Sequence, residues 1–419
     1  MPAAGRRTPL ERLLPPLMPT DPVRPSVLFV LNSTIPYHQN LCRRAVAEVP
    51  GVDWHFGFST PDGRWNLDLP DEGQFHFLFD PDEANALTSG SDNVHHTPLA
   101  DLEAEVRRRG FDAVILAGYT TPAVRALAGA ARRADVPFFI RADSNALADR
   151  RLSWPRRMAK QVRVRRRIRG RAGALAMGTL GRKYFRSYGV PDARIFNVPL
   201  TPDYHAFRSP PPDDVEAFRE TNGLTADRRR LLVCSRLVPV KRVDQAIDAF
   251  RKVADKHEDV DLVIVGDGPL GERLMSSVDD AISNRVKWLG RRQMDEVVLA
   301  FAACDIFLLT SEYEPWGVVV LEAAAAGLPI VSSDVVAASR DVFGNGSGGR
   351  MYQTGDVNAL ADAIDEVLGD LPRFRERLAE DLRTFRDQFD PVDGLRRALS
   401  SAGIDVGPPG TRGSNDAVA

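Results

Sequence analysis

Cysteine is scarce: the 419-residue chain holds three, Cys42, Cys234 and Cys304. They are far apart and odd in number, which gives neither a Cys-x-x-Cys pair nor a disulfide framework and points to a reducing, cytoplasmic setting. Long apolar runs are missing as well. Glu322 and Asp334 interrupt the only long candidate, so no membrane-spanning segment is expected. Residues 1–24 are basic, but prolines and a glutamate break what would be the apolar stretch of a signal peptide, and a flexible tail is expected there. A strong net charge is also absent: the formal value of −2 gives no global signal for nucleic acid. What remains is a chain 43% hydrophobic and 27% charged, within the range of folded soluble proteins, and long enough to divide into two domains.

The hydrophobic pattern alternates short apolar runs with helical periodicity. Runs at 26–31 (SVLFVL), 113–118 (AVILAG) and 136–140 (VPFFI) precede helical stretches, the signature of parallel strands with crossover helices. Residues 63–98 lack this rhythm and are expected to form loops and an irregular insertion. The Pro/Asp-rich stretch SPPPDDVEAF is expected to be a linker. Beyond it the alternation restarts at 231–235, 262–266, 286–290, 306–310 and 330–333, followed by helical patterns near 358–369 and 371–389. The expected organisation is a tail at 1–24, a first Rossmann-like domain at 25–208 and a second at 209–389. A helix remnant and disordered tail would fill 390–419. In such doubly wound sheets ligands bind beyond the carboxyl ends of the strands, so the site is expected in the cleft between two facing domains.

Three strand-to-helix loops of the second half carry chemistry. The first reads Arg236-Leu-Val-Pro-Val-Lys241 and pairs a planar guanidinium with a mobile ammonium, a combination suited to a diphosphate. A solvated basic loop is the plain alternative. The second, Gly266-Asp-Gly268-Pro-Leu-Gly271, matches the dinucleotide fingerprint in form. It opens the second strand-helix unit of its domain, Pro269 stiffens it, and no ribose-binding acid ends the next strand, so a tight turn is the competing reading. An NADP-dependent oxidoreductase rests on these glycines alone. The third loop runs Glu312-Tyr-Glu314-Pro-Trp-Gly317 into VVVLEAAAAG. Gly317 and the amides after it look like a helix start where phosphate is favoured. Glu322 falls inside that helix among valines and alanines, where a carboxylate needs partners: a structural arginine, or the hydroxyls of a ribose.

These ordered segments resemble the group 1 glycosyltransferases, glycosyltransferase family 4, with the GT-B fold. The resemblance covers most of residues 27–389, closely in the second half. Its paired glutamates, Glu-x7-Glu, fall on Glu314 and Glu322; EPWG, AAAAGLPIV, VGDGPL, VKWLG and GNGSGGRMYQTGD follow the family pattern. The resemblance implies an α/β chain of two facing doubly wound domains that moves a sugar from a nucleoside diphosphate sugar to a glycan, lipid-linked or small-molecule acceptor. Configuration would be retained, with no cofactor and no bound metal. Glu322 would hold the ribose, Glu314 would contact sugar hydroxyls, and Arg236 and Lys241 would neutralise the leaving diphosphate, with Trp316, Gly317, Gly290 and Arg291 beside the donor. A sugar-nucleotide or polyanion-binding protein without turnover is a further reading.

The first half departs from the family where many relatives place a histidine after the strand AVILAG: here stand Tyr119 and Thr120. Acceptor-side candidates are Tyr37, His38, Tyr119, Arg141 and Asp143, all expected at carboxyl ends of strands, with His38 a candidate general base. Between Arg150 and Arg171 lie eleven Arg or Lys in 22 residues, with Trp154, Met158, Val162 and Ile168 interspersed. A helix there suits an anionic membrane surface or a lipid-phosphate acceptor better than RNA, since no RNA-binding module accompanies it, with a solvated basic helix as the plain alternative. The protein is therefore expected in the cytoplasm, peripheral to the inner face of the membrane. His95-His96 reads as a polar surface pair.

Overall fold

The computed structural model describes residues 24–60, 69–78, 94–147, 153–168, 173–344 and 348–410. Two parallel sheets organise them. The first holds β1 (Ser26–Ser33), β2 (Asp53–Thr60), β3 (Gln74–Phe77), β4 (Val94–His96), β5 (Ala113–Ala117), β6 (Phe138–Ala142), β7 (Gly173–Ala176) and β8 (Ile195–Asn197), in the order β4-β3-β2-β1-β5-β6-β7-β8. The second holds β9 (Arg229–Cys234), β10 (Val260–Val265), β11 (Val286–Gly290), β12 (Ile306–Leu309), β13 (Ile330–Ser333) and β14 (Gly349–Tyr352), in the order β11-β10-β9-β12-β13-β14. Helices cover both faces, so central strands such as β5 (AVILA) and β10 (VDLVIV) are buried at every residue and read as continuous apolar runs. The exception inside β10, Asp261, accepts from Arg228 Nε at 2.8 Å.

In each sheet the strand order reverses once, between β1 and β5 and between β9 and β12. Loops at the carboxyl ends of those strands open a crevice at each reversal. The two crevices meet across a joint in which Met177 and Leu180 share one apolar cluster with Trp316, Val336 and Phe385. Close approach there demands glycine at 178: φ is +67°, and a Cβ would stand 1.9 Å from Asp341 Oδ2. Asp341 Oδ2 in turn accepts from Thr179 N at 2.8 Å.

Several sequence expectations are corrected. Within 63–98, β3 and β4 extend the first sheet; β3 has only four residues, and its inward Phe75 and Phe77 are separated by His76, too short a pattern to stand out. Residues 61–68 and 79–93, and the side chains of His95 and His96, lie outside the description. The supposed linker contains the helix Pro212–Thr221, because proline in a first helical turn loses no hydrogen bond. The first-half run ending at 140 is shifted: β6 continues to Ala142, which puts Arg141 inside the strand. The region after Phe389 is no remnant. Helix Pro391–Ser401 crosses back to the first domain, where Val392, Leu395 and Leu399 enter the core with Val27, Phe29 and Trp54, and the chain to Gly410 follows it, ending with a bond from Gly410 N to Glu48 O at 2.9 Å.

Asp390 anchors this return. One oxygen caps the helix through Val392 N and Asp393 N at 2.8 and 3.1 Å, and the other pairs with Arg44 Nη2 at 2.7 Å. Arg44 also pairs with Glu48 at 2.6 Å, and these two acids hold its proton more tightly than usual despite burial. Asp390→Ala removes a cap and leaves a buried guanidinium short of a partner, so urea denaturation should show a loss of about 2–4 kcal/mol.

Candidate functional site

The loop after β9 carries Arg236 and the tight turn Pro239–Lys241, closed by Arg242 in the left-handed region at φ +47°. The loop after β12 is stitched to it: Thr310 Oγ1 donates to Lys241 O and Glu312 N to Val240 O, both at 2.9 Å. Lys241 Nζ reaches Glu314 Oε2 in an ion pair whose side chains are 15% and 12% exposed, and Ser311 Oγ donates to the same oxygen at 3.2 Å. Arg236 is exposed and has no ion-pair partner among the described residues. Residues 73 apart in sequence are thus spatial neighbours because β9 and β12 flank the reversal of the second sheet.

The glycines of the second loop serve packing. A Cβ on Gly266 would lie 1.9 Å from Ser235 O and one on Gly268 2.5 Å from Leu237 O. Leu237 N donates to Asp267 O at 2.7 Å, and Leu270 N donates to Leu237 O at 3.1 Å, so this loop lies flat against the Arg236 loop. It also follows β10, one strand away from the reversal. Both facts favour the tight-turn reading and remove the ground for a dinucleotide site there.

A cavity of about 400 Å³ occupies the crevice. Tyr37, Arg236, Lys241, Arg291, Glu314, Gly317 and Glu322 line it, with Gly266, Gly268, Val318 and Val319. Glu322 is 2% exposed on helix Val319–Ala325. Its partner is no arginine: Tyr37 of the first domain donates its hydroxyl to Glu322 Oε1 at 2.7 Å. Burial raises the Glu322 carboxyl to about 7, against the lowering effect of the Tyr37 hydrogen bond. Burial and the facing carboxylate push the Tyr37 phenol well above its ordinary range.

Two expected donor-side residues sit elsewhere. Trp316 is buried in the interdomain cluster, 6.2 Å from the Phe385 ring, and its indole N–H donates to Leu200 O at 2.9 Å. Its apolar bulk is used to join the domains. Gly290 ends β11 at φ +69° and accepts from Gly266 N at 2.8 Å, outside the cavity lining. Asn145, not singled out in the sequence, donates Nδ2 to Glu314 O at 3.2 Å and Pro315 O at 2.8 Å, fixing the Glu314 loop from the first domain.

A second cavity, of about 330 Å³, lies at the reversal of the first sheet and brings His38, Tyr119, Thr120, Arg141 and Asp143 together. His38, the candidate general base, is 5% exposed there. Burial, aided by Arg141, lowers it to about 3, and its Nδ1 is 2.7 Å from Ser33 O. Tyr119 is tied back through its hydroxyl, 2.5 Å from that of Tyr184, and its carbonyl accepts from Arg167 Nη1 at 3.0 Å. Asp143 is exposed at the cavity, yet desolvation by the surrounding protein raises its carboxyl above the usual range, against the pull of Arg141 and with a smaller push from Glu314.

With this geometry in view, residues 214–384 match the model for glycosyl transferases group 1. An exopolysaccharide phosphotransferase of Streptomyces coelicolor is 36% identical over 36% of this chain and 16% of its own length. N-acetyl-alpha-D-glucosaminyl L-malate synthase of Bacillus anthracis is 34% identical over 35% of this chain and 38% of its own. The chain therefore spans well under half of the length of these curated relatives. The crystal structure of Anabaena Alr3699/HepE in complex with UDP superposes with a TM-score of 0.68 over 90% of this chain and 99% of that one, at 21% identity. The resemblance read from the sequence holds over residues 214–384, which the family model matches; over the whole chain the likeness is one of fold, two facing domains of the GT-B type.

Tyr37→Phe keeps the ring and removes the one hydroxyl that satisfies Glu322 across the cleft. Unfolding should become easier by about 1–3 kcal/mol near neutral pH. Urea titrations of the two proteins measure it.

Proposed function

We propose that the chain transfers a sugar from a nucleoside diphosphate sugar, held by the second domain, to an acceptor held by the first. One observation carries this reading: the cavity at the second sheet's reversal joins a buried carboxylate, Glu322, to a second carboxylate, Glu314, and to the cations of Arg236, Lys241 and Arg291. Glu322 offers acceptor oxygens to ribose hydroxyls, Glu314 to sugar hydroxyls, and the cations face the diphosphate. In the transfer, the bond from the anomeric carbon to the diphosphate oxygen breaks and a bond to the acceptor oxygen forms. The acceptor proton leaves with the diphosphate. Negative charge grows on that leaving group, so Arg236 and Lys241 bind the transition state more tightly than the ground state. The family resemblance supports retention of configuration. The same cations supply the counter-charge a metal would provide, which supports transfer without a bound metal; activity is expected to survive EDTA.

The test is substitution at the loops. Glu314→Ala and Lys241→Ala should each lower kcat/KM for transfer about 100-fold or more, an effect of about 3 kcal/mol, with an unchanged circular dichroism spectrum. Near-normal turnover in either variant would sink the assignment. A thermal-shift screen of nucleoside diphosphates identifies the base, since a ligand of the native state raises apparent stability. Nucleotide binding with neither donor hydrolysis nor transfer would identify a binding protein instead.

We place this activity in the cytoplasm at an anionic membrane surface. None of the described helices is long and apolar enough to cross a membrane. Helix Trp154–Ile168 carries seven Arg or Lys and no acid. Three of the four exposed large apolar side chains among the described residues fall on it, Trp154, Met158 and Val162, at 74%, 43% and 48% exposure and four residues apart, hence on one face. Ile168, expected with them, is instead buried with Val164 against the first domain, and Arg150, Arg151, Arg169 and Arg171 lie outside the described residues. Vesicles containing phosphatidylglycerol should sediment the protein while phosphatidylcholine vesicles do not. Replacing Trp154, Met158 and Val162 by alanine should cut that binding at least fivefold with the charge unchanged, an outcome that a purely electrostatic RNA-binding helix would not show.

A further inference from the structure

Donor binding in the second domain leaves the first-domain cavity without a ligand of defined chemistry. Its walls come from the carboxyl ends of β1, β5 and β6, and Arg141 is among its lining residues. An arginine near the end of a strand that reads FFIRA is out of keeping with its neighbours, and it is 2% exposed. Its Nε donates to Val198 O at 3.0 Å, whereas Nη2 is buried and has no hydrogen-bond partner. No carboxylate forms an ion pair with it among the described residues. A guanidinium so placed costs several kcal/mol unless something completes its hydrogen bonds. Burial lowers it to about 10, which still leaves it charged at neutral pH.

The rest of the lining indicates what would complete it. His38 beside it is neutral at physiological pH, and Ser33, Thr120 and Ser144 bring hydroxyl groups. Asp143 is the one acid of the lining; it is solvent-exposed, makes no ion pair with Arg141 but lies within its electrostatic reach, and its carboxylate also feels Glu314 of the donor cavity. The cavity is therefore polarised, with a buried cation within and a carboxylate on the side of the donor site. We propose that Arg141 binds an oxyanion, a phosphate or carboxylate group of the acceptor, and so presents the acceptor's hydroxyl toward Asp143 and Glu314. The fork geometry of a guanidinium suits such a group, and about 330 Å³ admits a phosphorylated or carboxylated head group rather than a long glycan. The inference deepens the proposed function, since it rests on the first domain being the acceptor side, and it names the acceptor as an anion.

The experiment is calorimetry on the full chain, without nucleotide and again with saturating UDP, which occupies the donor-side cations. Glycerol phosphate and inorganic phosphate should bind at least tenfold more tightly than glycerol. Arg141→Gln should abolish that preference and Arg141→Lys should keep part of it. Because Arg141 also ties β6 to Val198, a second variant guards against misfolding: Thr120→Glu places a like charge on an exposed part of the wall, and should weaken phosphate binding at least fivefold without altering UDP affinity. Micelles carrying phosphatidic acid or diacylglycerol form the lipid arm. Arg141-dependent binding of the soluble phosphate ester supports a soluble acceptor, and Arg141-dependent binding confined to phosphatidic acid supports a lipid-borne one. If neither arm depends on Arg141 or responds to Thr120→Glu while nucleotide still binds, the inference is overturned and the donor assignment stands. Loss of nucleotide binding in the unmodified protein would instead sink the donor assignment.

Discussion

A carboxylate held out of water is the constraint on which the rest of this structure depends. Glu322 occupies a helix of valines and alanines and is satisfied from the opposite domain by the Tyr37 hydroxyl. Burial would otherwise penalise its charge by several kcal/mol. The contact therefore couples two things: the closeness of the domains and the protonation of a group facing the cavity. A ligand that donates hydroxyl groups to Glu322 would relieve the same penalty, so in the proposed function nucleotide binding and interdomain contact would draw on one carboxylate.

Around it, charge is arranged by topology. Each sheet reverses its strand order once, and each reversal gathers loops that are distant in sequence. In the second domain this brings Lys241 onto Glu314 and leaves Arg236 free for an incoming anion. In the first it buries Arg141 beside a neutral His38. Asn145 on the Glu314 loop and Trp316 on Leu200 O lock the two crevices edge to edge. A shift of the domains would break polar and apolar contacts together, which makes the joint part of the site.

Legibility in the sequence followed the length and purity of the local signal. Strands β9, β10, β12 and β13 were readable because each is a short apolar run with a buried centre, and Glu314, Glu322, Arg236 and Lys241 were readable because two compact strand-to-helix segments hold them, whereas β14, with Arg350 in its middle, was missed. Strands β3 and β4 were hidden by brevity, and helix Pro212–Thr221 by prolines that are harmless in a first turn. The return of helix Pro391–Ser401 to the first domain depends on Asp390 meeting Arg44, a pairing 346 residues apart that no local pattern reveals. The same holds for Tyr37 and Glu322, 285 residues apart. Trp316 misled because a motif tryptophan beside a sugar site and one at a domain joint look alike in one dimension.

The central claim is that Glu322 receives the ribose, and proton linkage tests it directly. In the ligand-free protein its carboxyl titrates near 7, above the ordinary 4.5. The folded state therefore binds more protons than the unfolded one between those values, and this group's contribution to stability falls as pH rises through that window. Ribose hydroxyls favour the charged form, so binding must expel part of a proton near pH 6.5. Calorimetry of UDP binding in buffers of different ionisation enthalpy counts that proton, and Glu322→Gln separates it from the titration of the nucleotide's own phosphate. The account predicts release in the unmodified protein that exceeds the variant's near pH 6.5 and matches it by pH 9. Equal release in both proteins at pH 6.5 would contradict it.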